Sequence, residues 1–344
     1  MISTLGQMAL GQAGLRREVD RLGAQVTTSQ RAPLHGGLGP EARRAIDLRG
    51  EVARREAHAS AADRALGRAG VVQGVLGRLH GIAGAMAAEA ARAKTLGASG
   101  VEALARSARA ALEEAAALLN TRDGEVHLFA GIDHATAPVP AGAAIGQGAM
   151  AARIAAAVAT LTPANAALVL AETVVAATQD SPFAPRLEDP ATGLAEPPPA
   201  VAVAEGEVVA HGVLANRQHD GEVAASWGRE LLRGLATLAA LTPASAAHGE
   251  GYQALLEGMR AALAGATAGI GAEQGALGAA ERRMQAARER HRDTVVALRA
   301  QVAGLEEVDL AATVAALRTT QAQLEASYQA TALVARLNLA QFLR

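Results

Sequence analysis

The sequence predicts a mainly α-helical chain: an elongated antiparallel rod of long helices in coiled-coil or bundle packing, with a small β-hairpin region and a proline-rich inserted outer segment. Three observations carry this reading. Both ends of the chain repeat apolar residues at alternating steps of three and four, which keeps one side of a helix facing a partner. Two long internal stretches, 41–96 and 251–303, hold a helical period. Aromatic residues make up only 2% of the chain while alanine and glycine abound, so the core is built from small and aliphatic side chains rather than around aromatic-lined pockets.

The N-terminal seam consists of Leu5, Met8, Gln12, Leu15, Val19, Leu22 and Val26, apolar except for the one glutamine. Helix nucleation is costly and a seam this short buries little area, so the ends are expected to be loose in a lone subunit and ordered in an assembly. A breaker cluster, Pro33, Gly36, Gly37, Gly39 and Pro40, follows as a loop. The stretch 41–96 then predicts a helix of roughly 80 Å at the usual rise per residue. Along it Gly67, Gly70, Gly74, Gly77, Gly81 and Gly84 fall at steps of three and four, opposite a matching apolar stripe of Val72, Val75, Leu79, Ile82 and Met86. Glycine is a poor helix former, so the stripe is expected to serve close helix packing that offsets its cost.

A third helix is predicted over 101–120, stopped by Thr121-Arg122-Asp123-Gly124, whose Asp-Gly pair reads as a turn into a short strand over 125–130. Proline divides 135–199 into pieces, with helices expected near 147–161 and 164–177. Residues 200–204 and 207–214, separated by Glu205-Gly206, read as a β-hairpin. Trp227, Leu231, Leu235 and Leu238 mark a short helix, and 251–303 a second long one, interrupted by Gly304. Its small residues, Gly258 to Ala279 at heptad steps, are expected to complement the first glycine stripe in an antiparallel pair. Asp309 is placed to cap a last helix whose seam runs Leu310, Val314, Leu317, Gln321, Leu324 and Tyr328. The segments are thus 1–40, pairing with 305–344, then 41–134, 135–199, 200–304 and 305–344.

Composition narrows the function classes. A formal charge of −2, with Lys94 the only lysine, supplies no field for nucleic acid or an acidic membrane. There is no cysteine, hence no disulfide framework, thiol nucleophile or thiolate metal site. The first residues show neither a basic nor an uninterrupted apolar region of a cleaved signal, and alanine-rich runs such as 151–161 are too short and broken to cross a bilayer. Gly146-Gln147-Gly148-Ala149-Met150-Ala151 mimics a dinucleotide fingerprint, but the preceding Pro138-Val139-Pro140 forbids the buried strand such a site needs. The histidines lack the helical spacing of a metal pair, and His127 with His134 reads as a solvated turn. His219-Asp220 has no nucleophile motif nearby, and the run 281–290 is a mixed-sign solvated face. No catalytic constellation, cofactor or metal site is predicted.

The opening Ile2-Ser3-Thr4 with Gln7-Met8, the internal Asn120-Thr121-Arg122-Asp123-Gly124 and Leu128-Phe129-Ala130-Gly131, and the tail Leu324-Glu325-Ala326-Ser327-Tyr328 through Leu337-Asn338-Leu339 to Phe342-Leu343 resemble the bacterial flagellin family. The internal elements look most like its member at the junction of hook and filament. The resemblance covers residues 1–134 and 226–344 and departs in 31–40, where the family's acidic Asp-Asp element is missing. It implies a non-enzymatic structural subunit, exported unfolded through the flagellar type III apparatus with an export chaperone and located outside the cell. Its partners are then itself and other axial proteins, hook-associated proteins and flagellin, with no nucleic acid and no membrane insertion. Paired termini form an inner tube and the insert faces outward. The alternatives are a short filament flagellin or, in another class, a cytoplasmic coiled-coil adaptor. Assembly is expected to rest on Leu5, Met8, Leu15, Val19, Leu22, Val26, Leu310, Val314, Leu317, Leu324 and Tyr328.

Overall fold

A computed structural model of the chain describes residues 2–32, 35–95, 98–188, 198–217 and 226–342. The seam side chain of Leu5 lies outside the described residues, as do Pro33, Pro190, Pro197, the His219-Asp220 pair and the side chains of the tail from residue 335 on. The chain is mainly helical, with two small antiparallel two-stranded sheets among the described residues. It divides into two compact units, residues 1–57 with 290–344 and residues 58–289. These boundaries fall inside the two long helices, not at the breaker loop or Gly304, because helices that run on without a break share their residues between both units.

In the first unit, α1 (Ile2–Thr28) ends where Ser29 turns to φ 59. The chain then meets the start of α9 (Leu310–Phe342) through backbone bonds from Arg31 N to Glu306 O (2.7 Å) and from Val308 N to Ser29 O (3.1 Å). Gln25, buried, donates its side-chain amide to Arg31 O at 2.8 Å and fastens the same turn. Asp309 caps α9: its Oδ1 accepts from Ala311 N at 2.9 Å and Ala312 N at 3.1 Å. Helix α8 (Glu250–Glu306) passes through Gly304 without stopping, so the predicted interruption does not occur; one glycine costs a helix about 1 kcal/mol, too little to end it. Its end pairs with the beginning of α2 (Ala42–Ala93) through Arg299 with Glu56 (2.6 Å) and Arg49 with Glu306.

The second unit is built around α7 (Trp227–Ala239), which is buried on all sides: Leu231, Leu232, Leu235 and Leu238 have no exposed surface. Ser226 caps it by accepting from Arg229 N at 3.1 Å. Helices α3 (Ala98–Leu119), α4 (Ala149–Ala159) and α5 (Ala166–Gln179) pack on it, and α2 and α8 contribute Leu76, Leu79, Leu255 and Leu263 to the same core. Residues 135–199, read from sequence as a segment of their own, supply Ile145, Ile154, Val158 and Val169 to this core. Within the unit α2 and α8 run antiparallel, as Gln73 Nε2 to Gln274 O (2.9 Å) and Arg288 to Asp63 (3.2 Å) show. The apolar stretch at 142–159 holds a break at Gly148, leaving α4 about 16 Å long, half a bilayer core.

The turn at Asp123-Gly124, with φ 60 at the glycine, joins β1 (Arg122–Asp123) to β2 (Val126–His127). The strand expected over 125–130 is only these two residues, because Leu128, Phe129 and Ala130 leave the hairpin for the core. Strands β3 (Ala200–Ala204) and β4 (Glu207–Ala210) pair with a register shift near Ala202, and β4 ends before Val213 and Leu214, which are likewise drawn into the core.

Candidate assembly interface

Helices α1 and α9 lie antiparallel. The tie between Gln30 and Glu307 stands at one end, and Gln12 reaches Ser327 and Thr331 further along. The row of α1 turned inward is Met8, Gln12, Leu15, Val19, Leu22 and Val26; Leu22 is 5% exposed and the others are half-buried. This is the row that the heptads mark.

On α9 the inward row is different. Thr313 and Thr320 are buried, and Leu317, Leu324, Ser327, Thr331 and Val334 are half-buried, at steps of four and three. Of the expected seam only Leu317 and Leu324 belong to it. Val314 is half-buried, Gln321 is exposed, and Leu310 and Tyr328 are 45% and 42% exposed.

The reason for the offset is chemical. Thr313, Thr320 and Thr331 donate their hydroxyls to the carbonyls of Asp309, Ala316 and Ser327, at 2.7, 2.9 and 2.9 Å. With the hydroxyl satisfied inside its own helix, threonine presents a methyl group and passes for a small apolar residue. Threonine and serine recur at 313, 320 and 327 at intervals of seven, and that recurrence is the signal by which the row could have been found.

The outer surface of the pair is unusual for a helix in water. In α9 only Arg318, Glu325 and Arg336 are charged, and in α1 every charge lies between Arg16 and Arg21. Leu10, Tyr328 and Leu333 are exposed on it. The first turns of α2 make the contrast, with Arg43, Arg44, Asp47, Arg49, Glu51 and Arg54 in twelve residues. A helix without charge around most of its circumference belongs inside something larger.

The six stripe glycines of α2 are all exposed, and a Cβ added at any of them would meet nothing within 4 Å, apart from Gln274 Nε2 at 3.8 Å from Gly77. Inside the chain it is the opposite stripe, Val72, Val75, Leu79, Ile82 and Met86, that packs. Close approach within the chain occurs at other glycines. A Cβ on Gly228 would stand 2.0 Å from Ala215 O, and one on Gly258 2.5 Å from Leu170 Cδ2. The small-residue faces of α2 and α8 therefore do not pack on each other within the unit; the bulkier aliphatic faces do, since they bury more area.

The motif Asn120 to Gly124 has a structural part. Asn120 brackets the backbone of Val139, donating to its carbonyl at 2.8 Å and accepting from its amide at 2.9 Å. Thr121 Oγ1 closes α3 on Leu118 O (2.7 Å), and Asp123 pairs with Arg68 (2.8 Å). His127 is buried rather than solvated as expected, with Nδ1 3.1 Å from Asn120 O, and its amide bonds His134 O, so backbone bonds hold the turn. Sequence reasoning missed a polar knot at the start of α7. There Glu188 of α6 (Pro185–Glu188) accepts from Arg229 (3.2 Å), Asn216 (3.3 Å) and Ser181. Arg233, also buried, is held by Glu230 and by Thr173 at 3.0 Å.

Residues 261–343 match the family model of the bacterial flagellin C-terminal helical region. No curated protein matches the chain. The matched span takes in all of α8 except its first eleven residues and the whole of α9, about a quarter of the chain.

Proposed function

We propose that this chain is a structural subunit of the flagellar axis, assembling through its paired terminal helices with copies of itself and with other axial proteins, hook-associated proteins and flagellin. The observation that carries the reading is the α1–α9 pair, whose charges are confined to 16–21 in α1 and to three residues in α9, and which carries Leu10, Leu310, Tyr328 and Leu333 in the open. Such a surface costs free energy in water and is relieved when neighbouring helices cover it. Leu310 and Tyr328, exposed in the lone chain, offer apolar contact to a neighbour, and the open glycine stripe of α2 is a second face on which a neighbouring helix can come close. The role is mechanical and no catalysis is assigned.

Within the flagellum we place the subunit at the junction of hook and filament, as hook-associated protein 3, on the resemblance of Asn120 to Gly124 and Leu128 to Gly131. It reaches its place outside the cell unfolded, through the type III export apparatus with the help of an export chaperone. The second reading is a short filament flagellin, and the match to the flagellin C-terminal helical region fits both readings alike. Immunogold labelling of purified flagella with an antibody against residues 135–199 separates the two. Label at the boundary of hook and filament is the expected result. Label along the whole filament makes the chain a flagellin, and a protein kept in the cytoplasm, absent from flagella, overturns both in favour of a coiled-coil adaptor.

A further inference from the structure

We propose that Gln12 holds the α1–α9 pair in register. The apolar members of the seam cannot do this, because they repeat with little variation. On α9 one row reads Leu310, Leu317, Leu324 and the other Thr313, Thr320, Ser327, so a shift by one heptad sets like against like. Hydrophobic burial alone therefore discriminates weakly between the two registers. The backbone tie at Gln30 and Glu307 fixes one end, but Gln12 lies about five turns away, roughly 27 Å along the helix.

At that distance Gln12 is the seam's polar member on α1. Its Nε2 donates to Thr331 Oγ1 at 2.8 Å and to Ser327 O at 3.2 Å. Among the described residues these are the side-chain hydrogen bonds that cross between α1 and α9. Thr331 has already given its own proton to Ser327 O at 2.9 Å, so its oxygen is oriented to accept. Shifted seven residues toward the start of α9, Gln12 meets Leu324 in place of Thr331. A half-buried amide then loses its hydroxyl acceptor and keeps only a backbone carbonyl, and that lost bond is the penalty that makes one register preferred. A single polar residue in an apolar seam is a known way of trading stability for uniqueness of pairing. Thr331 continues the row of Leu310, Leu317 and Leu324, and it is the position where that row stops being leucine.

The inference rests on the helix pair within one chain and stands apart from the flagellar reading, so its test needs no filament. The chain has no cysteine, and spin labels can be placed singly at the exposed positions Arg17 and Gln323 by Arg17→Cys and Gln323→Cys. Distances are then read in frozen solution by double electron–electron resonance. The labelled parent is expected to give one narrow distance. Gln12→Leu is expected to add a second population at a longer distance, since a slip of one heptad slides one label about 10 Å along the helix axis past the other, with the melting temperature unchanged or higher. Thr331→Val, which removes the acceptor and leaves Gln12 in place, is expected to do the same, and the exchange Gln12→Thr with Thr331→Gln to restore a single distance. A residue that merely fills space would lower the melting temperature and leave the distance alone. One unchanged distance in both Gln12→Leu and Thr331→Val overturns the proposal, and so does a broad distribution in the parent.

Discussion

The surroundings of α7 and the α1–α9 pair are both helical packings of small and aliphatic side chains, yet they bury themselves to different degrees. Around α7 the leucines have no exposed surface, and even Arg229 is 3% exposed, neutralised by Glu188. Along α1 and α9 most inward residues are only half-buried, and the outer faces are sparsely charged, with exposed charges confined to residues 16–21 in α1 and to Arg318 and Glu325 among the described side chains of α9. The first arrangement satisfies its side chains within one chain. The second leaves apolar surface uncovered, as expected of elements whose final neighbours are other molecules.

If that contrast is right, stability resides around α7. Leu235→Ala, which removes a fully buried side chain, is expected to destabilise the chain by about 2–5 kcal/mol in urea unfolding. A loss under 1 kcal/mol would mean that the α7 core is loosely packed. Next in size is Arg229→Ala. It strips Glu188 of its cation and leaves Asn216 and Ser181 on an unneutralised carboxylate. For a fully buried pair the cost is about 3–5 kcal/mol, and since Glu188 is 23% exposed and partly solvated, about 1–3 kcal/mol is expected here.

The terminal pair is expected to respond in function rather than stability. Leu317→Asp places a carboxylate in the inward row of α9, against α1. It should abolish assembly and motility while the unfolding of the α7 core stays within about 0.5 kcal/mol of the parent. Normal motility in that variant would remove the terminal helices from the assembly interface.

The same contrast explains what could be read in the sequence. The long helices and the α1 seam were legible because 3.6- and 3.5-residue periods depend only on which residues are apolar. The inward row of α9 was not, since threonine counts as polar until its hydroxyl is seen to bond its own helix. Residues 135–199 looked like a separate insert because prolines fragment the pattern, yet Ile154 and Val169 pack in the α7 core. The knot at Glu188 was invisible in the sequence, since Ser181, Glu188, Asn216 and Arg229 are brought together only by the fold. The glycine stripe was correctly seen as a stripe, but periodicity does not say whether a face turns toward its own chain or away from it.

That last point has its own test. With open space at its Cβ position, Gly74→Ala is expected to raise the stability of the isolated chain by up to about 1 kcal/mol, because alanine is the better helix former and nothing resists it. Gly77→Leu should likewise leave the melting temperature without the loss that overpacking brings. A drop of several degrees in either variant would show the stripe to be packed within the chain. A stable Gly77→Leu that no longer assembles would place a neighbour against it.

The smallest effect is expected from His211. Its backbone amide bonds Pro199 O at 2.9 Å just after β4, its imidazole is partly buried, and burial together with the nearby Arg68 guanidinium lowers its pKa below the usual 6.5. The folded chain thus binds this proton less readily than the unfolded one. Stability from this group is complete above pH 6.5 and declines as pH falls from there toward the lowered folded-state value, the direction set by the unfolded state holding more protons. Urea midpoints between pH 7.5 and 5 should therefore fall less steeply in His211→Gln than in the parent. Parallel curves would mean that protonation at His211 is not coupled to folding.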